Sequence, residues 1–137
     1  MSSLSILLVE DDTIEVMKLN RTISKLNLNH TVIEMKNGEL ALEYLNGDHK
    51  LPDIILLDLN MPKLNGIDFL SILKEDNELK HIPTIILTTS CNQKDLQECY
   101  NLGVTGYILK PLRYEEYVTK IEKIVAYWSI NELIQKK

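Results

Sequence analysis

The chain predicts a doubly wound parallel α/β sheet, five strands alternating with five helices along one 137-residue domain. Three observations carry that expectation. Five short runs rich in Ile, Leu and Val recur at regular intervals, and each is followed by a segment whose apolar residues repeat with helical spacing. Turn and cap residues (Asp, Asn, Gly, Pro) punctuate the joins. The inner runs are continuously apolar rather than alternating, as strands covered on both faces must be.

Ser5-Ile6-Leu7-Leu8-Val9 is the first strand. A helix follows from about Thr13 to Leu26, with Asp12 as N-cap and Glu15 three residues on, the spacing of a capping box. Thr31 to Met35 is a second strand, nearer the sheet edge because Glu34 interrupts its apolar pattern. Glu39 to Leu45 is a helix stopped by Asn46-Gly47. The third strand is the most informative: Pro52-Asp53-Ile54-Ile55-Leu56-Leu57-Asp58, an apolar run closed by one carboxylate, with Pro62 beyond it. Helix Ile67–Leu73, strand Pro83–Thr88, helix Asn92–Leu102 capped by Gly103, strand Gly106–Leu109 and a last helix from Tyr114 to about Ile134 complete the alternation. Three Asn-Gly pairs, at 37–38, 46–47 and 65–66, resemble hairpin turns. Their flanks have helical periodicity, so they are expected at helix ends.

Composition narrows the function. A net charge of −5 excludes the basic surface that sequence-independent nucleic-acid binding requires. No apolar run reaches membrane-spanning length, and Met1-Ser2-Ser3 starts no signal peptide. Cys91 and Cys99, eight residues apart on an expected helix, would lie about 12 Å apart along its axis, too far to bridge. A reduced, cytoplasmic protein is the expectation. Cys91 reads as a small buried thiol, and His30, His49 and His81 follow no ligand spacing.

In an open α/β sheet the strands' carboxyl ends converge on the ligand site. Four of those ends carry polar groups: Glu10 and Asp11, then Asp58, then Thr88, then Lys110 before Pro111. Three crowded carboxylates raise one another's pKa unless a cation neutralises them, and all-oxygen ligation suits Mg²⁺ or Mn²⁺. A lysine beside such a cluster would quench it, unless a second anion such as a phosphoryl group visits between metal and ammonium. The implied chemistry is phosphoryl transfer to Asp58, with the Thr88 hydroxyl donating to the transferred group.

These residues resemble the receiver domain of two-component response regulators over about residues 4–126. The resemblance rests on five motifs in order: Leu8-Val9-Glu10-Asp11, Asp58 with Met61-Pro62, Gly66, Leu87-Thr88, and Tyr107 with Lys110-Pro111. It implies a flavodoxin-like strand order 2-1-3-4-5, with 127–137 extending the last helix. It implies Asp58 as phosphoacceptor and a metal held by Glu10, Asp11, Asp58 and the Asn60 backbone carbonyl. Lys110 would pair with the phosphoryl group, its bond to Pro111 would be cis, and Thr88 and Tyr107 would form a switch. The implied partner is a sensor histidine kinase or a histidine phosphotransfer protein. Leu87-Thr88-Thr89-Ser90 and the tail with Trp128 are similar to stand-alone regulators that serve bacteriophytochromes, with Thr89 in place of the usual Ala or Gly.

Taken singly, each residue has a plainer reading: Glu10-Asp11-Asp12 as a helix-dipole cluster, Asp58 as a turn residue, Thr88 and Tyr107 as strand packing, Lys110 as a solvated charge. Their ordered combination favours the site. An enzyme of the haloacid-dehalogenase-like phosphatases would need a second Asp two residues after the nucleophile, where Asn60 stands. The expected chemistry is therefore self-phosphorylation and autodephosphorylation only. No Ser/Thr/Gly-rich phosphate loop follows the first strand, which excludes an FMN carrier. The alternative is a phosphorylation-independent binding or scaffold module on the same fold.

The residues after Lys110 are too few for a DNA-binding module, so the output is expected to be a surface. Trp128, Ile130, Leu133 and Ile134 look surplus to the core, either folded back on the domain or forming a partner surface. The resemblance implies a two-fold homodimer through the fourth helix, fifth strand and fifth helix.

Overall fold

The computed structural model describes residues 3–26 and 29–134. Its element order is β1 (Ser5–Val9), α1 (Thr13–Lys25), β2 (Thr31–Met35), α2 (Gly38–Leu45), β3 (Ile54–Leu57), α3 (Gly66–Glu75), β4 (Thr84–Thr88), α4 (Gln93–Asn101), β5 (Gly106–Leu109) and α5 (Tyr114–Ser129). All strand pairs are parallel, in the order β2-β1-β3-β4-β5. The flavodoxin-like fold expected from the sequence is the fold observed.

Burial explains why the inner strands read as continuous apolar runs. Leu7, Val9, Ile55, Leu57 and Ile86 face one core with Ala41, Phe69, Leu70, Leu73 and Cys99 of α2, α3 and α4. Ile6, Leu8, Ile54, Leu56, Ile85 and Leu87 face a second core with Leu19, Ile23, Tyr117 and Ile121 of α1 and α5. Every residue of β3 and β4 is buried, whereas β2 and β5, at the sheet edges, contain none that is. A strand with helices on both faces has no solvent side to mark by polar alternation.

The Asn-Gly pairs sit at helix ends, as expected. Asn37 Oδ1 accepts from Leu40 N–H at 2.9 Å and Asn65 Oδ1 from Asp68 N–H at 3.0 Å, capping α2 and α3, while Asn46 closes α2. Two features differ from expectation. The Asp12 cap bonds Ile14 N–H at 2.9 Å, and Glu15 does not complete a capping box, because it turns toward the ammonium groups of Lys18 and Lys110. The last helix stops at Ser129 rather than Ile134. There Asn131 Nδ2 donates to Tyr127 O at 2.6 Å, and Ile130 N–H bonds the carbonyl three residues back, the tightened turn of a helix end. A turn of 3₁₀ helix at Leu79–His81, with Asp76 Oδ1 accepting from Glu78 and Leu79 N–H, had no counterpart in the expected pattern.

The four surplus tail residues divide. Trp128 and Leu133 fold back on the α1/α5 core, while Ile130 and Ile134 stay 71% and 60% exposed. Among the described residues no helix is long and apolar enough to cross a membrane.

Candidate functional site

Parallel register brings the polar strand ends together. Val9 pairs with Leu57, and Asp58 N–H donates to Val9 O at 3.1 Å, so Glu10 and Asp58 emerge side by side. Thr88 pairs with Leu109, and Lys110 N–H donates to Thr88 O at 2.8 Å, which delivers Lys110 to the same edge. One carboxylate oxygen each from Glu10, Asp11 and Asp58 lies within 4.8 Å of the others. Glu10 and Asp58 are buried and Asp11 is exposed, so the cluster has a wall and an open side. The three candidate ligands are all carboxylate oxygens, the donor set of a hard divalent cation.

Lys110 Nζ reaches into this cluster, 2.7 Å from Glu10 Oε1, 3.6 Å from Glu15 Oε1 and 3.9 Å from Asp58 Oδ1, with a side chain only 7% exposed. Burial pushes the Glu10 carboxyl up to about 7, against the opposing pull of its hydrogen bond to Lys110. Burial would lower the Lys110 ammonium, but the Glu10 hydrogen bond and the charges of Glu10, Asp58 and Glu15 outweigh it and raise the net value. The ammonium therefore stays charged, and the carboxylate side of the cluster carries an electrostatic load that a divalent cation would relieve.

The loop after β3 is built around a close approach. A Cβ on Gly66 would lie 2.6 Å from Leu59 Cα and 2.7 Å from the Asp58 carbonyl oxygen, so only glycine lets the start of α3 dock on the strand end. Met61 anchors the loop in the core, Lys63 adopts a left-handed φ of 64°, and Asn60 is exposed.

Thr88 is fully buried, and its Oγ1 accepts from Ser90 N–H at 3.2 Å. Tyr107 is half-buried with its hydroxyl donating to Ser90 O at 2.8 Å. Both expected switch residues thus meet at one loop residue, Ser90, whose own hydroxyl donates to Asp95 Oδ2 at 2.7 Å in the first turn of α4.

Two expectations fail here. The Lys110–Pro111 peptide is trans, the intrinsically favoured isomer of an X–Pro bond. Cys91 is exposed, because it precedes α4 instead of lying on its inner face; Cys99 is the buried thiol, raised to about 11 by burial. Sequence reading also missed Glu15 as a member of the site. No local signal marked it: Glu15 stands at the spacing of a capping box, and its approach to Lys110 is made across the fold.

A fold of this order with an acidic cluster and a lysine at the carboxyl ends of its strands defines a class. The response regulator receiver domain matches residues 6–122, and the chain belongs to that family, one of signalling domains in two-component systems. Among curated relatives it is 41% identical over 78 residues to the probable methanogenesis regulatory protein FilR2 of Methanothrix harundinacea, covering 57% of this chain and 50% of that protein. It is 38% identical over 77 residues to response regulator Rcp1 of Synechocystis sp., covering 56% and 52%. The matched stretch thus spans about half the length of these relatives. The crystal structure of the phosphorylated cyanobacterial phytochrome response regulator RcpA superposes with a TM-score of 0.89 at 32% identity, covering 96% of this chain and 99% of that one. The Mn²⁺-bound form of Rcp1 gives 0.87 at 30% identity, covering 97% and 99%.

Proposed function

We propose that this chain is a cytoplasmic response regulator receiver that takes a phosphoryl group on Asp58 from the phosphohistidine of a sensor histidine kinase or a histidine phosphotransfer protein. The observation that carries the reading is the meeting of Glu10, Asp11 and Asp58 oxygens within 4.8 Å beside the buried Lys110 ammonium. Similarity to a phosphorylated phytochrome regulator supports it and favours a bacteriophytochrome as the kinase. Glu10, Asp11, Asp58 and the Asn60 carbonyl would hold Mg²⁺, or Mn²⁺ as in the Rcp1 neighbour. When bound, the ion offsets the charge that builds up as an anionic phosphoryl group approaches a carboxylate.

The chain's own residues do the rest. An Asp58 carboxylate oxygen attacks phosphorus in line with the leaving nitrogen. The P–O bond forms, the P–N bond breaks, and its electron pair stays on the imidazole. Lys110 swings from Glu10 to the phosphoryl oxygens. The Thr88 hydroxyl, released from Ser90 N–H, donates to the same group, and Tyr107 follows through Ser90. The readout is a changed α4/β5/α5 surface and a homodimer through it, supported by exposed Tyr100, Leu109 and Tyr127 and by an apolar groove of about 540 Å³ between β5 and α5.

The test is incubation with acetyl phosphate, with and without Mg²⁺, followed by intact mass of the wild type and Asp58→Asn. One phosphoryl adduct requiring both Mg²⁺ and Asp58 is expected. An unmodified wild type would replace this reading with a phosphorylation-independent binding module.

A further inference from the structure

Glu15 belongs to the site and has no role in the transfer just described. Its Oε2 pairs with Lys18 at 3.3 Å, and the Lys18 ammonium lies 4.6 Å above the Tyr117 ring. Its Oε1 is buried without a hydrogen-bond partner, 3.6 Å from Lys110 Nζ. A buried carboxylate oxygen without a hydrogen bond is costly, and one within ion-pair distance of an ammonium that is bonded elsewhere marks a contact waiting to be made.

Lys110 has the complementary surplus. Its ammonium carries three donors, and its one hydrogen bond to a carboxylate goes to Glu10 Oε1. That bond presents a conflict, because Glu10 is also a buried member of the metal cluster. An oxygen that holds Lys110 at 2.7 Å competes with a cation for the same lone pairs. A shift of a few tenths of an ångström turns the 3.6 Å approach to Glu15 into a hydrogen bond, and further travel in that direction lengthens the 2.7 Å Glu10 contact until it is released. Lys18 holds the other Glu15 oxygen, Oε2, at 3.3 Å.

We infer that Glu15 is the second seat of the Lys110 ammonium, a positioning residue that draws it off Glu10 so that Glu10 is free for a divalent cation. The inference rests on the metal-dependent receiver reading above. It makes Glu15 more than a local negative charge, because its effect on metal binding runs through Lys110.

Calorimetric titration with MgCl₂ tests it. Glu15→Ala should weaken Mg²⁺ binding about tenfold, the size of one charge-assisted hydrogen bond, and Glu15→Gln, whose amide oxygen still accepts, by less. Asp12→Asn removes a neighbouring exposed charge while keeping an N-cap, and should change binding by less than about twofold. In a Lys110→Gln background the Glu15→Ala effect should vanish, since no ammonium remains to be reseated. NMR of the Lys110 ammonium should show its signal moving on Mg²⁺ addition in the wild type and staying on Glu10 in Glu15→Ala. Persistence of the full Glu15→Ala loss in the Lys110→Gln background would overturn the inference, leaving plain charge attraction. Equal affinity of wild type and Glu15→Ala would overturn it too, with the metal site intact. A wild type that takes up no Mg²⁺ would remove the proposed metal-dependent phosphoacceptor function and this inference together.

Discussion

The two ends of the sheet treat polar groups in opposite ways. At the amino end they are matched. Asp53 Oδ2 accepts from Ser5 N–H at 2.7 Å, while Asp53 N–H donates to Ser5 O at 2.8 Å. His30 Nδ1 accepts from Leu4 N–H at 2.8 Å, and Thr31 N–H donates to Leu4 O at 2.8 Å. Side chains there finish hydrogen-bond ladders that the strands begin. At the carboxyl end, three carboxylates crowd one ammonium, Glu10 is pushed up to about 7 by burial, and a Glu15 oxygen has no hydrogen bond. The lesson is a division of labour within one β-sheet. One end closes the structure, and the other holds crowded charges that the proposed cation and phosphoryl group would balance.

The sharpest way to break this comparison is to substitute at the carboxyl end. Asp58→Asn should abolish phosphoryl uptake, read by intact mass, yet leave thermal stability equal or higher because it thins the carboxylate cluster. A large drop in stability would mean that Asp58 is structural. Gly66→Ala crosses the two categories. Its methyl must displace Leu59 and the Asp58 carbonyl, so urea unfolding should show a loss of about 1–3 kcal/mol together with slower uptake. Unchanged stability would show that the close approach relaxes freely. At the amino end, Asp53→Ala should cost about 1–2 kcal/mol by orphaning the Ser5 amide, with phosphoryl uptake on Asp58 unaltered. Slowed uptake in that variant would join the two ends functionally.

The carboxyl end was largely legible in the sequence because each of its residues follows directly on a strand whose apolar run can be counted. Glu10, Asp58, Thr88 and Lys110 come together by register alone. Glu15 was not legible as a site residue, because the same position satisfies the spacing of a capping box, and only the arrival of Lys110 from β5, 95 residues later in sequence, decides between them. The amino end was nearly invisible. Asp53 read as part of the strand boundary and His30 as scattered, since bonds to Ser5 and Leu4 depend on pairing across 48 and 26 residues. The end of α5 was misjudged for a local reason. Asn131 captures the Tyr127 carbonyl, and a single amide in an apolar repeat is a weak stop signal.

Acidity offers the finest discrimination, because the two ends should respond to pH with opposite sign. Glu10 has a folded value of about 7, above its ordinary 4.5, so the native state binds its proton more tightly than the unfolded chain does. Its contribution to stability is fully present below 4.5 and is lost as pH rises through about 7. His30 is lowered from 6.5 by burial, and its Nδ1 must stay unprotonated to accept the Leu4 amide. Its contribution is present above 6.5 and is lost as pH falls through its lower folded value. Urea unfolding in chelator-treated buffer from pH 5 to 8 should therefore show the wild-type-minus-Glu10→Gln stability difference falling with pH, and the wild-type-minus-His30→Asn difference rising. His30 is only partly buried whereas Glu10 is buried, so the His30 slope is expected to be the shallower of the two. Slopes of the same sign would mean that the crowding at the carboxyl end is relieved without a ligand, and the contrast between the ends would collapse to one of composition.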